Sequence, residues 1–351
     1  MKKSRRNKTN REFIEPIEHW DLEKGFQARV VEVHKRYAFV STEPKEGEVD
    51  TTDVWMATVA RRHLQSERQE RHFVCVGDRV YCQKASEDIC DDLPQCTIEA
   101  RAPRTAKIFR KDPMVAERLH ILAANMTQLI VVSSYQSPLV KWGLIDRYLA
   151  LAEAEGLEAV IVLNKEDLLV GAKEGFQEEC AEQQKIYEDM GYRVLSLQAS
   201  SPSAMKEVRK LFRGHISLVS GHSGVGKSSM VNLARPELKQ VVEKDEIMTK
   251  GRHTTSFASF IRLGSGGYVV DSPGIRSFVA PDMEGATLSR CFRDIEPYVD
   301  SCRFRECLHN EEPGCAVKAA VEQGLVAQRR YRSYLGILLG TTGREGRLRN
   351  H

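Results

Sequence analysis

The chain has 351 residues, 41% hydrophobic and 29% charged, which is enough apolar side chain to bury the cores of two or three soluble domains. No apolar run approaches the ~18 residues that span a bilayer. The basic stretch from Met1 to Arg11 lacks the apolar run and small-residue cleavage site of a secretory leader, so a cytoplasmic protein with no membrane partner is expected.

The net charge of +3 is modest, but the two ends are strongly basic. Lys2, Lys3, Arg5, Arg6, Lys8 and Arg11 crowd the start, and Arg329, Arg330, Arg332, Arg344, Arg347 and Arg349 crowd the end. Such arms point to a phosphate-rich partner such as nucleic acid, with a solubilising tail as the alternative. Nine cysteines, an odd number, read as metal ligands or buried thiols in a cytosolic chain rather than as disulfides.

In chain order, residues 1–24 read as a basic flexible arm. Over 25–104 the pattern becomes short alternating runs: Ala28 to Val33, Tyr37 to Val40, and Val76 to Tyr81. Short β-runs between turn residues predict a small β-barrel, and periodicity leaves an OB-type and an SH3-like barrel both open. Over 105–283 the texture changes to continuous apolar strands alternating with helices. Leu129 to Val132, Ala159 to Leu163, Tyr192 to Leu195 and Ile216 to Val219 are the strands, and Leu144 to Glu155 is the first helix. That alternation predicts a parallel α/β sheet covered on both faces. A hairpin is expected from Phe257 to Asp271. Residues 284–351 are Cys-rich, then helical and basic, and read as a third small domain.

The sharpest motif is Gly221-His222-Ser223-Gly224-Val225-Gly226-Lys227-Ser228-Ser229, which fits G-x-x-x-x-G-K-[ST] between a strand and a helix. Glycines let backbone N–H groups wrap a phosphate, and the helix N-terminus adds positive potential. Lys227 would reach the β- and γ-phosphates, and Ser228 would bind Mg²⁺. The base is chosen by Asn164-Lys165-Glu166-Asp167, at the carboxyl end of a buried strand, where ligands bind in open α/β sheets. A carboxylate at Asp167 accepts two hydrogen bonds from guanine N1–H and its exocyclic amine, a donor pair that adenine lacks. Asn164 can complement the other edge of the base, and the Lys165 stem can cover the ring.

Asp271-Ser272-Pro273-Gly274 follows a strand. Asp271 can hold Mg²⁺ through water, and the Gly274 N–H can meet the γ-phosphate. Between the phosphate loop and Asp271 lies Gly251-Arg252-His253-Thr254-Thr255-Ser256. A threonine there, with Thr255 preferred over Thr254, can complete Mg²⁺ coordination only when the γ-phosphate is present. His253 is the candidate to orient the attacking water, with an exposed loop residue or an RNA contact as the alternative. The motif order is unusual, because Asn164–Asp167 precedes the phosphate loop. A circular permutation keeps the same sheet, and the loop after Asp271 then leads straight into the C-terminal domain. In that domain Cys302, Cys307, His309 and Cys315 form a closed three-thiolate, one-imidazole set. It is suited to one structural Zn²⁺ per chain, with no open catalytic position.

Together these residues resemble the circularly permuted GTPases of the RsgA (YjeQ) family. The resemblance runs from about Gly25 to Gly340 and includes Val76 to Val80 and Tyr331 to Leu335. It implies a multidomain α/β chain with an N-terminal OB-like β-barrel, a circularly permuted P-loop GTPase domain and a C-terminal zinc-binding helical domain. It also implies a monomer that binds GTP and GDP with Mg²⁺, the small ribosomal subunit and its rRNA. The implied activity is hydrolysis of GTP to GDP and phosphate in late maturation of that subunit, stimulated by it. Ser196-Leu197 stands where the family has the segment that touches guanine O6 through a backbone N–H. Ile275 stands where Ras-like enzymes carry a water-orienting glutamine and cannot take that part. A GTP-binding ribosomal placeholder with negligible hydrolysis is therefore the alternative function.

Overall fold

A computed structural model describes residues 14, 16–34, 36–42, 53–60, 73–85, 93–111, 119–234, 259–263, 266–271 and 285–340. The chain divides into two compact units, Met1–Asn125 with Ser256–Ile261, and Met126–Thr255 with Arg262–His351.

The first unit contains β1 (Phe26–Val33), β2 (Ala38–Ser41), β3 (Val54–Val59), β4 (Arg79–Lys84) and β5 (Gln95–Arg101). β1 runs antiparallel to both β2 and β4, β2 pairs β3, β3 lies parallel to β5, and β5 returns to β4. The pairings close a ring of five strands, which leaves no open edge. Closure with a β3–β5 parallel pair selects the OB-type barrel that periodicity left open. The barrel core has the period of two that strands impose: Ala28 and Val30, Ala38 and Val40, Val80 and Cys82, Cys96 and Ile98 all point inward.

The run from Val76 to Tyr81 is not one strand, because β4 begins only at Arg79. Gly77 takes φ +91°, and a Cβ there would lie 2.1 Å from the Ala124 carbonyl oxygen, so a turn through glycine precedes the strand. The next residue, Asp78, is fully buried. It accepts from Cys75 N–H at 2.8 Å and from the Arg104 guanidinium at 2.7 and 2.8 Å. A hairpin of β6 (Lys107–Lys111) and β7 (Leu119–Ala124), which the sequence did not single out, completes this unit.

In chain order the next elements are β8 (Gln128–Ser134), α1 (Trp142–Ala154), β9 (Glu158–Asn164), α2 (Phe176–Asp189) and β10 (Arg193–Leu197). They are followed by α3 (Met205–Phe212), β11 (Ile216–Ser220), α4 (Lys227–Ala234), β12 (Ser259–Leu263) and β13 (Gly267–Asp271). Within the second unit β10, β9, β8, β11 and β13 lie side by side in that order, every neighbour parallel. Every residue of β8 is buried, as its unbroken apolar run requires of a strand covered on both faces. β11 sits between β8 and β13 although it follows β10 in the chain. The connection therefore reverses direction across the sheet at β11, a topological switch point.

Four short helices end the described chain: α5 (Gly285–Arg290), α6 (Glu296–Val299), α7 (Ala316–Glu322) and α8 (Gln328–Leu338). Leu288, Phe292, Ile295, Val317, Tyr334 and Ile337 pack there with Cys307, Cys315 and Ala150 of α1. A buried ionic cluster ties α1 to α8. Asp146 receives Arg329 and Arg330, each at 2.7 Å, and the Tyr187 hydroxyl at 2.7 Å. Arg330 also reaches Asp294 at 2.8 Å. Burial pushes the Asp146 carboxyl up, but the Arg330 and Arg329 charges outweigh it and hold the group below its ordinary value.

Candidate functional site

Because β8, β9, β10, β11 and β13 are all parallel, their carboxyl ends fall along one edge of the sheet. That edge carries Tyr135, Asn164 with the turn after it, Leu197, the 221–226 loop and Asp271. The strand ends thus bring together motifs that lie far apart in the chain. Asp271 ends β13, beside the strand that feeds the phosphate loop. Thr254, Thr255, His253 and Gly274 lie outside the described residues.

The phosphate loop runs from Gly221 to Gly226, and α4 begins at Lys227. Gly221 takes φ +143°, and a Cβ there would sit 2.0 Å from the Val132 carbonyl oxygen. Gly226 takes φ +99°, and a Cβ would sit 2.0 Å from Asn164 Nδ2. Both positions therefore demand glycine for space as well as for backbone angle. Val225 is buried and anchors the loop, while His222, Ser223, Gly224, Ser228 and Ser229 are exposed along it. Lys227 Nζ donates to the carbonyls of Gly221 at 2.8 Å and His222 at 2.7 Å, which holds the ammonium over the loop.

Asn164 is occupied differently from the sequence expectation that it meets the base. Its Nδ2 donates to the Val225 carbonyl at 2.7 Å, and its Oδ1 accepts the Ala199 N–H at 2.7 Å. The buried amide thus ties the phosphate loop to the segment after β10, with both ends used. Lys165 takes a left-handed φ of +61°, and its Nζ donates to the Ser137 carbonyl. Glu166 and Asp167 open a 3₁₀ turn, Glu166–Leu169, and both are exposed. Ser196 is exposed and Leu197 buried at the end of β10, whose Leu197 pairs with Asn164. Tyr135, just past β8, is buried. Its hydroxyl lies 2.5 Å from Ser196 Oγ, and Gln184 Nε2 contacts both oxygens. Burial pushes the Tyr135 phenol up, which keeps it protonated.

A second cluster lies in the C-terminal helices. Cys302, Cys307, His309 and Cys315 offer ligand atoms that all fall within 4.8 Å of one another. His309 Nδ1 lies 3.4 Å from both Cys302 Sγ and Cys315 Sγ, and those sulfurs are 3.9 Å apart. A tetrahedron with metal–sulfur bonds of about 2.3 Å and metal–nitrogen bonds of about 2.0 Å has edges of roughly 3.5–3.8 Å, so the four side chains fit such an ion. Burial holds the His309 imidazole below its usual pKa, in the neutral form that ligates.

The surrounding loop is braced. Tyr331 and Tyr334 donate to the carbonyls of His309 and Leu308 at 2.6 and 2.9 Å, and Glu312 accepts the N–H groups of Leu308 and Asn310 at 2.8 and 2.9 Å. Sequence reasoning gave no role to Glu312, Tyr135 or Gln184. Glu312 carried a local signal, an acid inside the Cys–His spacing. Tyr135 and Gln184 carried none, because their partners are distant in the chain.

Comparison with known proteins agrees with this geometry. The model of the RsgA GTPase family matches residues 101–281. A small ribosomal subunit biogenesis GTPase RsgA of Dickeya dadantii is 34% identical over 335 residues, 90% of this chain and 94% of that protein. One from Chlorobaculum tepidum is 38% identical over 278 residues, 78% of this chain and 87% of that protein. Among solved structures, YjeQ from Thermotoga maritima superposes with a TM-score of 0.69 at 29% identity, covering 91% of this chain and 99% of that one. YloQ, described as a circularly permuted GTPase, gives a TM-score of 0.68 at 26% identity, covering 92% and 97%. With the P-loop strand following β8–β10 in the chain yet central in the sheet, and with relatives matched over most of their length, the chain belongs to the RsgA GTPase family.

Proposed function

We infer that this chain binds GTP, hydrolyses it to GDP and phosphate, and acts in late maturation of the small ribosomal subunit, with turnover stimulated by that subunit. One observation carries the reading: a P-loop, an N-K-x-D turn and Asp271 meet at the carboxyl ends of parallel strands around a switch point. The partner follows from the names of the relatives, small ribosomal subunit biogenesis GTPases, and from the basic chain ends. In this reading Gly221 to Ser229 cradle the phosphates, Asp167 reads guanine, and Leu197 offers a backbone N–H to O6. Ser228, Asp271 and Thr255 hold Mg²⁺, and the Gly274 N–H meets the γ-phosphate. Mg²⁺ supplies charge neutralisation at the β- and γ-oxygens.

The proposed division is a basic arm over 1–24, the barrel over 25–104, the GTPase domain over 105–283 and a zinc domain over 284–351. The metal held by Cys302, Cys307, His309 and Cys315 is proposed to be one structural Zn²⁺. No helix among the described residues is long and apolar enough to cross a membrane. A cytoplasmic location and a monomeric state belong to the proposal.

Isothermal titration of the full chain with GTP, ATP and XTP tests the base assignment. GTP is expected to bind at least a hundredfold tighter than ATP, the discrimination of a site built on hydrogen bonds to one ligand. Asp167→Asn should weaken GTP and admit XTP, whose extra carbonyl needs a donor. Equal affinities of the parent chain for ATP and GTP would reject the reading.

Hydrolysis is tested by single turnover with and without small subunits. His253→Ala is expected to retain GTP binding and lose most subunit-stimulated turnover, on the order of 10²-fold, as removal of a water-orienting group does. Turnover at the parent rate would exclude His253 and place the group on the ribosome. No stimulated turnover in the parent chain would leave the placeholder function, which the Ile275 residue favours.

A further inference from the structure

The hydrogen bonds around Ser196 imply more than a loop resting on a sheet. Three elements converge there: Tyr135 from the end of β8, Gln184 from the middle of α2, and Ser196 from the end of β10. Gln184 Nε2 contacts the Tyr135 hydroxyl and, at 3.0 Å, Ser196 Oγ, so its two amide hydrogens serve the two oxygens. The two hydroxyls are themselves 2.5 Å apart. Tyr135 is only 2% exposed, so its hydroxyl hydrogen has to be used inside the protein. Donation to Ser196 Oγ does so. The Ser196 hydrogen then remains for the exposed side, where the segment after β10 faces the N-K-x-D turn.

The same segment is gripped from the other side. Asn164 Oδ1 holds Ala199 N–H, and the Tyr135 N–H donates to the Asn164 carbonyl at 3.1 Å. Residues 196–199 are thus held at both ends by groups that β8, β9 and α2 position.

We propose that Tyr135, with Gln184, is a positioning residue for guanine recognition, fixing Ser196 and through it the backbone N–H that reads the base. This rests on the GTP-binding reading given above. Neither residue belongs to the 221–229 phosphate loop: Tyr135 follows β8 and Gln184 lies in α2. Loss of the Tyr135 hydroxyl therefore lowers the preference for guanine and spares the affinity a nucleotide draws from the phosphate loop.

The test uses the full chain, with GDP and ADP as probes in isothermal titration and a thermal midpoint for each variant. If the parent fails to prefer GDP over ADP, the GTP reading itself falls. If it does prefer GDP, Tyr135→Phe is expected to cut GDP affinity about tenfold, equivalent to ~1.4 kcal/mol, and to leave ADP affinity as it was. A purely structural role would weaken both nucleotides together and leave their ratio unchanged. Ser196→Ala should reproduce the loss, and adding Tyr135→Phe to it should weaken GDP no further. Gln184→Leu lies on the surface of α2 and provides the same readout should Tyr135→Phe fail to fold. An unchanged GDP-to-ADP ratio in the folded variants, or fully additive losses in the double variant, would overturn the proposal.

Discussion

Stripping the metal from the Cys302, Cys307, His309 and Cys315 cluster is expected to unfold α5–α8 and leave β8–β11 folded. The reason lies in the size of the segment. Its helices are short, and its core is one cluster in which Cys307 and Cys315 are themselves buried members. A small segment of this kind draws much of its folding free energy from the ion, on the order of 10 kcal/mol or more for structural zinc. Hydrogen exchange after chelation should show protection lost across 285–340 and kept across 128–220. Elemental analysis of protein purified without chelator should find one zinc per chain. Cys307→Ser should mimic chelation. A C-terminal region that keeps its protection without metal would show that the helices hold themselves together and that the cluster is not a structural metal site.

The second large effect is expected at Asp146. This carboxylate is fully buried between Arg329, Arg330 and the Tyr187 hydroxyl, and Arg330 is 1% exposed. Asp146→Ala leaves Arg330 buried with Asp294 alone, and removing one partner of a buried pair costs about 3–5 kcal/mol. Denaturant unfolding should register that loss in the unit containing α1 and α8. The pH dependence has a definite sign. The folded-state pKa of Asp146 lies below its ordinary value of 3.8, so its contribution is complete above that value and lost as pH falls through the lower, folded one. The parent chain should therefore lose stability more steeply below pH 3.8 than Asp146→Ala does. Parallel acid profiles for the two proteins would show that the cluster contributes nothing through Asp146.

The motifs were legible because each is local. A P-loop needs its glycines and lysine within nine residues, and the Cys–His set needs its ligands within one loop, so spacing alone carries the chemistry. The parallel sheet was legible for a similar reason: a strand buried on both faces must be apolar throughout, and Leu129 to Val132 is. The run Val76 to Tyr81 misled, because a hydrophobic period does not register the close approach of Gly77 to Ala124, 47 residues away in the chain.

What the sequence by itself supplied was a set of local motifs, the P-loop glycines with Lys227, the N-K-x-D turn and the Cys–His spacing, and with them the chemistry to expect. What only the tertiary structure decided was who holds those residues in place. Closure of the barrel depended on β1 finding both β2 and β4, a matter of pairing and not of composition. Asn164, a base contact by its motif, is committed by its amide to Val225 and Ala199, one of them 61 positions away. Asp146 finds its arginines more than 180 positions on, at a separation of 183 residues for Arg329. Buried hydrogen-bonding groups must be satisfied, but which partner satisfies them depends on the chain path, and that is set only when the strands and helices pack.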